Sequence, residues 1–77
     1  MSKPTRITNS IRALRFARGE MTQAELAQRI GVTRQTVIAI EQGRYSPSLE
    51  VAFQIARVLR VPLDEVFQYP DGQGEQL

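Results

Sequence analysis

Apolar residues recur at helical spacing on both sides of Gly31, over residues 23–43. A tight turn between two helices often needs a positive φ, which glycine adopts at almost no cost. The pattern therefore predicts two short helices that pack against each other across this turn. Their inward-facing residues are Leu26, Ala27 and Ile30 before the glycine, and Val37 and Ile40 after it.

Thr22 and Thr33 each stand one residue before a predicted helix, where a threonine side chain can cap free backbone amides. Ala27 lies four residues before Gly31, and its small side chain lets the two helices approach closely. A small residue, a glycine and two apolar residues at these offsets are typical of a helix-turn-helix. An ordinary helical hairpin that binds nothing is the alternative.

Further periodic stretches predict three more helices and no strand, so the fold class is all-α. The expected bounds are about 9–18, 49–60 and 63–68, with Thr8 or Asn9 capping the first and Ser48 the second. The expected buried stripes are Ile7, Ile11, Leu14 and Ala17, with Phe16 at the edge, and then Leu49, Ala52, Phe53, Ile55, Ala56 and Leu59.

The 77 residues suffice for one domain, expected over 9–69 between a flexible arm (1–8) and a tail (70–77). The sequence contains neither cysteine nor histidine, which removes the usual general base and the usual zinc ligands. We therefore expect no enzyme activity, no metal and no cofactor. The sequence has no apolar run of membrane-spanning length and no signal-peptide core, which favours a cytoplasmic protein.

Charge is distributed unevenly along the chain. Residues 1–60 carry ten basic and four acidic side chains, a net of +6, whereas residues 61–77 carry four acids and no base, a net of −4. A basic body with an acidic end suits a module that binds a polyanion. A solvated surface of mixed charge is the alternative.

The segments TQAELA, GVTRQTV and IEQGRYSPSL give the chain a specific resemblance to the lambda-repressor/Cro family, often called Xre-like. The resemblance covers about Ile11 to Phe67 and is closest to short stand-alone members. It implies a five-helix DNA-binding domain and a transcriptional regulator, in particular a repressor. The turn between the first two helices is one residue longer than the commonest form, with Glu20 as the extra residue.

The second helix of the pair begins after Thr33, and the major groove of DNA admits one such helix. Glutamine can pair with adenine, arginine with guanine or a phosphate, and an apolar side chain can meet a thymine methyl group. Because Val37 and Ile40 face inward, other side chains of this helix form its outer face. The candidate base-reading residues are Arg34, Gln35, Thr36, Ile38 and Ala39.

Phosphate contacts are expected where the preceding helix begins, since free amides and the helix dipole attract an anion there. The resemblance also implies a phosphate contact by Gln23. The loop after the second helix offers another clamp, although Tyr45 could instead pack over the fourth helix. The phosphate candidates are Thr22, Gln23, Thr33, Arg44, Tyr45 and Ser46.

The resemblance further implies a partly buried ion pair between Arg15 and Glu41. Regulators of this kind bind as two-fold dimers, with recognition helices about 34 Å apart. The candidate dimer residues are Leu63, Val66 and Phe67, with Tyr69 beside them, and the alternative is that they close the monomer core.

The function expected from these features is sequence-specific binding of a double-stranded DNA operator by a homodimer. A module that keeps this fold but binds a protein, as an antitoxin or adaptor does, is the alternative. Arg34, Gln35 and Arg44 favour DNA, because an acidic or uncharged recognition face would suit the protein-binding module better.

Overall fold

The computed structural model describes residues 5–70, and within them five helices follow one another in the predicted order. The predicted helix-turn-helix pair is present on either side of Gly31, so the five-helix class is confirmed with a small sheet added. The elements are β1 (Thr8–Asn9), α1 (Ile11–Ala17), α2 (Gln23–Ile30), α3 (Arg34–Glu41), α4 (Leu49–Leu59), α5 (Leu63–Val66) and β2 (Phe67–Gln68).

The small sheet pairs β1 with β2, where the sequence pattern predicted no strand. Thr8 lies opposite Gln68 and Asn9 opposite Phe67 in an antiparallel register. The predictions that Thr8 belongs to a flexible arm and that the last helix continues to Gln68 are therefore wrong. A strand of two residues is too short to show a periodic pattern in the sequence. Its contacts are also distant in the chain, since the Thr8 hydroxyl donates to the Gln68 carbonyl, 60 residues away.

The structure describes neither end of the chain. Residues 1–4 of the expected arm and residues 71–77 of the expected tail lie outside the described range, so both segments stay predictions. Within residues 5–70, every helix is too short or too polar to cross a membrane.

Both helices of the central pair begin at threonine caps, as predicted. The Thr22 hydroxyl accepts from the Glu25 amide at 3.0 Å, and the Glu25 carboxylate accepts from the Thr22 amide at 2.9 Å. The Thr33 hydroxyl accepts from the Thr36 amide at 3.2 Å. Gly31 ends α2 with a φ of 76°, a conformation that costs other residues roughly 1–2 kcal/mol. These local interactions fix the turn that sets α3 across α2.

The start of α1 is held by Asn9 from outside the helix. Ser10 occupies the N-cap position, but its side chain makes no capping bond. Instead, Asn9 Oδ1 accepts from the Ile11 amide at 3.1 Å, and Asn9 Nδ2 donates to the Ile40 carbonyl at 3.0 Å. Asn9 therefore closes the start of α1, where Thr8 or Asn9 was expected to cap the helix. It also closes the end of α3, which the sequence pattern did not predict.

The turn between α1 and α2 holds two consecutive residues in the left-handed region. Gly19 has a φ of 81° and Glu20, the extra residue of this turn, has a φ of 59°. The turn is closed by the Met21 amide, which donates to the Arg15 carbonyl at 2.9 Å. The longer turn is thus accommodated with local strain at Glu20, of roughly 1–2 kcal/mol.

The apolar core lies where α2 packs against both α3 and α4, and α1 and α5 close it. Side chains removed from water in this way supply the main favourable term in folding. The most deeply buried are Ile11, Leu26, Val37, Ile40, Ile55, Leu59 and Val66.

Several residues that the periodicity assigned to buried stripes lie at the surface. Leu49 is 68% exposed and Phe53 is 53% exposed, because α4 buries only the narrower stripe centred on Ile55 and Leu59. In α1, Ala17 and Phe16 are also exposed. Apolar spacing alone gives the side of a helix that faces the core, but it does not give the width of the contact.

Candidate nucleic-acid interface

The outer face of α3 is exposed to solvent, and its inner face is buried in the core. Val37 and Ile40 are 1% and 2% exposed, so they fix the rotation of the helix about its axis. Arg34 and Gln35, in the first turn, are exposed. The other three candidate base-reading residues keep part of their surface accessible; these are Thr36, Ile38 and Ala39.

The loop after α3 extends this face. Side chains from α3 and from the loop line one open cleft of about 280 Å³, formed by Gln35, Thr36, Ala39, Arg44 and Tyr45. Within the loop, Arg44 Nε donates to the Gln42 side chain at 2.8 Å. The structure thus brings two of the candidate phosphate residues, Arg44 and Tyr45, beside the candidate base-reading residues. Ser46, the next residue, lines a different groove.

The hydroxyl groups of Thr33 and Thr36 are engaged with each other, at 3.0 Å. Thr33 also caps α3, so its hydroxyl already serves the fold. In this bond one hydroxyl donates and the other accepts, so one of the two O–H groups stays available to a ligand and the other does not. Arg34 and Gln35 have no such restriction among the described residues.

The start of α2 presents the other predicted phosphate site. The first amides of an α-helix have no partner inside the helix, so they can face an anion. The Gln23 side chain is partly buried, and its Nε2 donates to Glu41 Oε1 at 3.1 Å. This bond leaves the second Nε2 hydrogen and the amide oxygen of Gln23 available. The contact joins the beginning of α2 to the end of α3, and no local pattern could have predicted it.

Arg15 and Glu41 form a buried ion pair between α1 and α3. Arg15 Nε donates to Glu41 Oε2 at 2.7 Å, and Arg15 Nη2 donates to Glu41 Oε1 at 3.2 Å. Their side chains are only 7% and 9% exposed. Arg15 Nη1 also donates to the Met21 carbonyl at 2.7 Å, next to the cap of α2. The pair therefore holds three helices at the point where they converge.

The predicted dimer residues do not form one exposed surface. Val66 is completely buried, so it closes the monomer core and cannot touch a second subunit. Leu63 and Phe67 are half-buried and pack against the core. They also line an open, mostly apolar groove of about 360 Å³, whose other walls are Ile7, Ser46, Pro47, Leu49 and Ala52.

Comparisons with known proteins agree with the fold. A family model described as helix-turn-helix matches residues 11–66. An HTH-type transcriptional regulator of Methanocaldococcus jannaschii, of uncharacterized function, is 49% identical over 53 residues, which are 69% of this chain and 80% of that protein. A regulator of Methanothermobacter thermautotrophicus with the same description is 60% identical over 48 residues, which are 61% of this chain and 70% of that protein.

Two further comparisons differ in how much of the other protein they cover. The transcriptional repressor RstR of the cryptic phage CTXphi, from Vibrio cholerae, is 39% identical over 59 residues, which are 77% of this chain and 52% of that protein. The crystal structure of a candidate DNA-binding protein from Bacteroides fragilis superposes with a TM-score of 0.70 at 22% identity, covering 80% of this chain and 98% of that one, and so supports the fold. The family and these relatives are described as regulators or DNA-binding proteins and not as enzymes, in agreement with the expectation from the sequence. The chain belongs to the helix-turn-helix family of the lambda-repressor/Cro, or Xre-like, type.

Proposed function

We propose that this protein is a sequence-specific regulator of transcription that binds double-stranded DNA and acts as a repressor. The observation that carries the proposal is the open face of α3, with Arg34 and Gln35 exposed on a helix whose opposite face is sealed. A single helix of this kind fits the major groove, with the residues of its first turns toward the base edges.

The proposed base contacts follow from the chemistry of these side chains. Gln35 can pair in bidentate fashion with adenine, and Arg34 can pair with guanine or hold a phosphate. Thr36, Ile38 and Ala39 lie nearby on the same helix with part of their surface accessible, and Ile38 or Ala39 can meet a thymine methyl group.

The proposed phosphate contacts come from α2 and from the loop after α3. The free amides at the start of α2 and the Gln23 side chain form one clamp, next to the cap Thr22. The loop with Arg44, Tyr45 and Ser46 forms the second, and Thr33, the cap of α3, is a further candidate. Contacts of this type fix the position of the protein on the duplex but do not select its sequence.

We further propose that two copies bind one operator, because a single recognition helix reads few base pairs. The groove lined by Leu49, Leu63 and Phe67 is the apolar surface offered for this contact. The similarity to a phage repressor supports repression over activation. Since duplex DNA is the proposed partner, the cytoplasm is the proposed place of action.

Selection of bound sites from a pool of random duplexes tests this function. We expect an enriched sequence with two related half-sites about one helical turn apart. Gln35→Ala should then lose about 1–3 kcal/mol of discrimination at one base pair and leave the rest of the site unchanged. Gln54→Ala, an exposed glutamine in the middle of α4, is the matched control. A pool that stays random, together with capture of a protein partner, would favour the protein-binding module.

A further inference from the structure

An arginine of α1 lies over an exposed aromatic ring. The Arg12 guanidinium carbon is 5.6 Å from the ring centre of Phe16, which follows one helical turn later and is 53% exposed. A guanidinium that stacks on a ring uses its face for this contact, so the N–H donors at its edge remain free. Within residues 5–70, Arg15 forms an ion pair with Glu41, whereas Arg12 has no carboxylate partner.

Arg12 and Phe16 line an open cleft with a volume of about 900 Å³. Gln23, proposed above as a phosphate contact, lines the same cleft from the start of α2, and Gln42 lines it from the end of α3. The cleft therefore places a positive charge of α1 beside the first proposed phosphate site. Since phosphates recur along each DNA strand at a rise of about 3.4 Å, the next phosphate lies close by.

The one carboxylate in the wall of this cleft does not cancel that charge. Glu41 accepts from Arg15 through both of its oxygens, at 2.7 and 3.2 Å, and from Gln23 at 3.1 Å. Its negative charge is thus balanced by a buried guanidinium. The excess charge that faces the opening comes from Arg12.

We propose that Arg12 holds a second backbone phosphate, next to the one at Gln23, and that α1 thereby extends the DNA-contacting surface beyond the helix-turn-helix. The inference rests on the proposed function. It assigns Arg12 a role in affinity and not in sequence selection, because removal of a phosphate contact weakens binding to all DNA sequences by a similar factor.

The test measures the affinity of the full chain for one fixed duplex at about 50 and 200 mM salt, for the parent and three variants. Each phosphate contact contributes about 0.9 to the logarithmic salt slope. Arg12→Gln should therefore lose about 3.5-fold less affinity than the parent over this fourfold change in salt. Arg12→Lys keeps the charge and should retain the slope of the parent. Arg57→Gln removes an exposed arginine from the last turn of α4, outside this cleft, and should also match the parent.

The outcomes separate the inference from the function on which it rests. A parent that binds with a steep salt slope, and an Arg12→Gln variant with the same slope, would overturn the role of Arg12 and leave the DNA-binding proposal intact. An Arg12→Lys variant that behaves like Arg12→Gln would assign the effect to stacking on Phe16 and would also overturn it. A parent that binds no duplex at either salt concentration would refute both. Urea unfolding of each variant shows that the compared proteins are folded.

Discussion

Replacing Arg15 with alanine removes three hydrogen bonds from a site that is largely shielded from water. Two of them join Arg15 to the Glu41 carboxylate, at 2.7 and 3.2 Å, and the third joins it to the Met21 carbonyl, at 2.7 Å. The Glu41 side chain, 9% exposed, would keep only the Gln23 amide as a hydrogen-bond donor. The change therefore leaves a buried negative charge without a counter-charge.

Breaking a buried pair by removing one partner costs about 3–5 kcal/mol, because the remaining ion stays desolvated. A chain of 77 residues has a free energy of unfolding of about 4–12 kcal/mol. The loss is therefore a large part of the total. Since 1 kcal/mol corresponds to about 4–8 °C in a domain of this size, the Tm of Arg15→Ala should fall by at least about 12 °C.

Urea unfolding, followed by far-ultraviolet circular dichroism, measures this loss. Arg12→Ala is the matched control: it removes an arginine from the same helix, but an exposed one whose contact with Phe16 is worth about 0.5–1 kcal/mol. The paired change Arg15→Met with Glu41→Leu removes both charges and fills the space. It should cost less than Arg15→Ala alone.

Two results would contradict this reasoning. Equal unfolding free energies for Arg15→Ala and Arg12→Ala would mean that the buried pair contributes no more than an exposed arginine. A paired variant less stable than Arg15→Ala would mean that the cost comes from lost packing and not from the stranded carboxylate.

Two further predictions concern the backbone and the dimer. Glu20→Gly should raise the free energy of unfolding by up to about 1 kcal/mol, since Glu20 has a φ of 59°. Gly31→Ala should lower it by roughly 1–2 kcal/mol through φ alone, because an added Cβ there meets nothing within 4 Å. Urea midpoints that shift in the same direction for both variants would refute the assignment. Leu49→Lys, at a residue 68% exposed, should shift the proposed dimer to monomer in sedimentation at an unchanged urea midpoint, whereas Gln54→Lys should not. A parent that sediments as a monomer at high concentration would exclude the dimer.

The central part of the fold could be predicted because its signals are local. Thr22, Gly31 and Thr33 act through neighbours within a few residues, and the burial of Val37 and Ile40 follows from helical spacing. The outward direction of the Arg34 and Gln35 side chains was available from the same spacing. Periodicity, caps and a left-handed turn are therefore sufficient to predict the open face of α3.

The remaining parts of the site depend on pairs that are distant in the chain. Gln23 meets Glu41 at a separation of 18 residues, and Asn9 meets the Ile40 carbonyl at a separation of 31. Neither pair leaves a periodic trace, because each member is a single polar residue beside an apolar stripe. The Arg15–Glu41 pair could be expected only from the resemblance to a family. Long-range polar contacts of this kind become visible only when helix positions are known.

The two ends of α3 are held very differently, and this difference bears on binding. At the C-terminal end, Asn9 donates to the Ile40 carbonyl, while the Glu41 side chain is bonded to Arg15 and Gln23. At the N-terminal end, the described side-chain hydrogen bonds are those of Thr33 and Thr36, and the Arg34 and Gln35 side chains are exposed. A helix anchored at one end presents the other in a fixed direction, which lowers the entropy lost on binding. Because Glu41 also orients Gln23, the same anchor sets the spacing between the proposed base-reading and phosphate-binding groups.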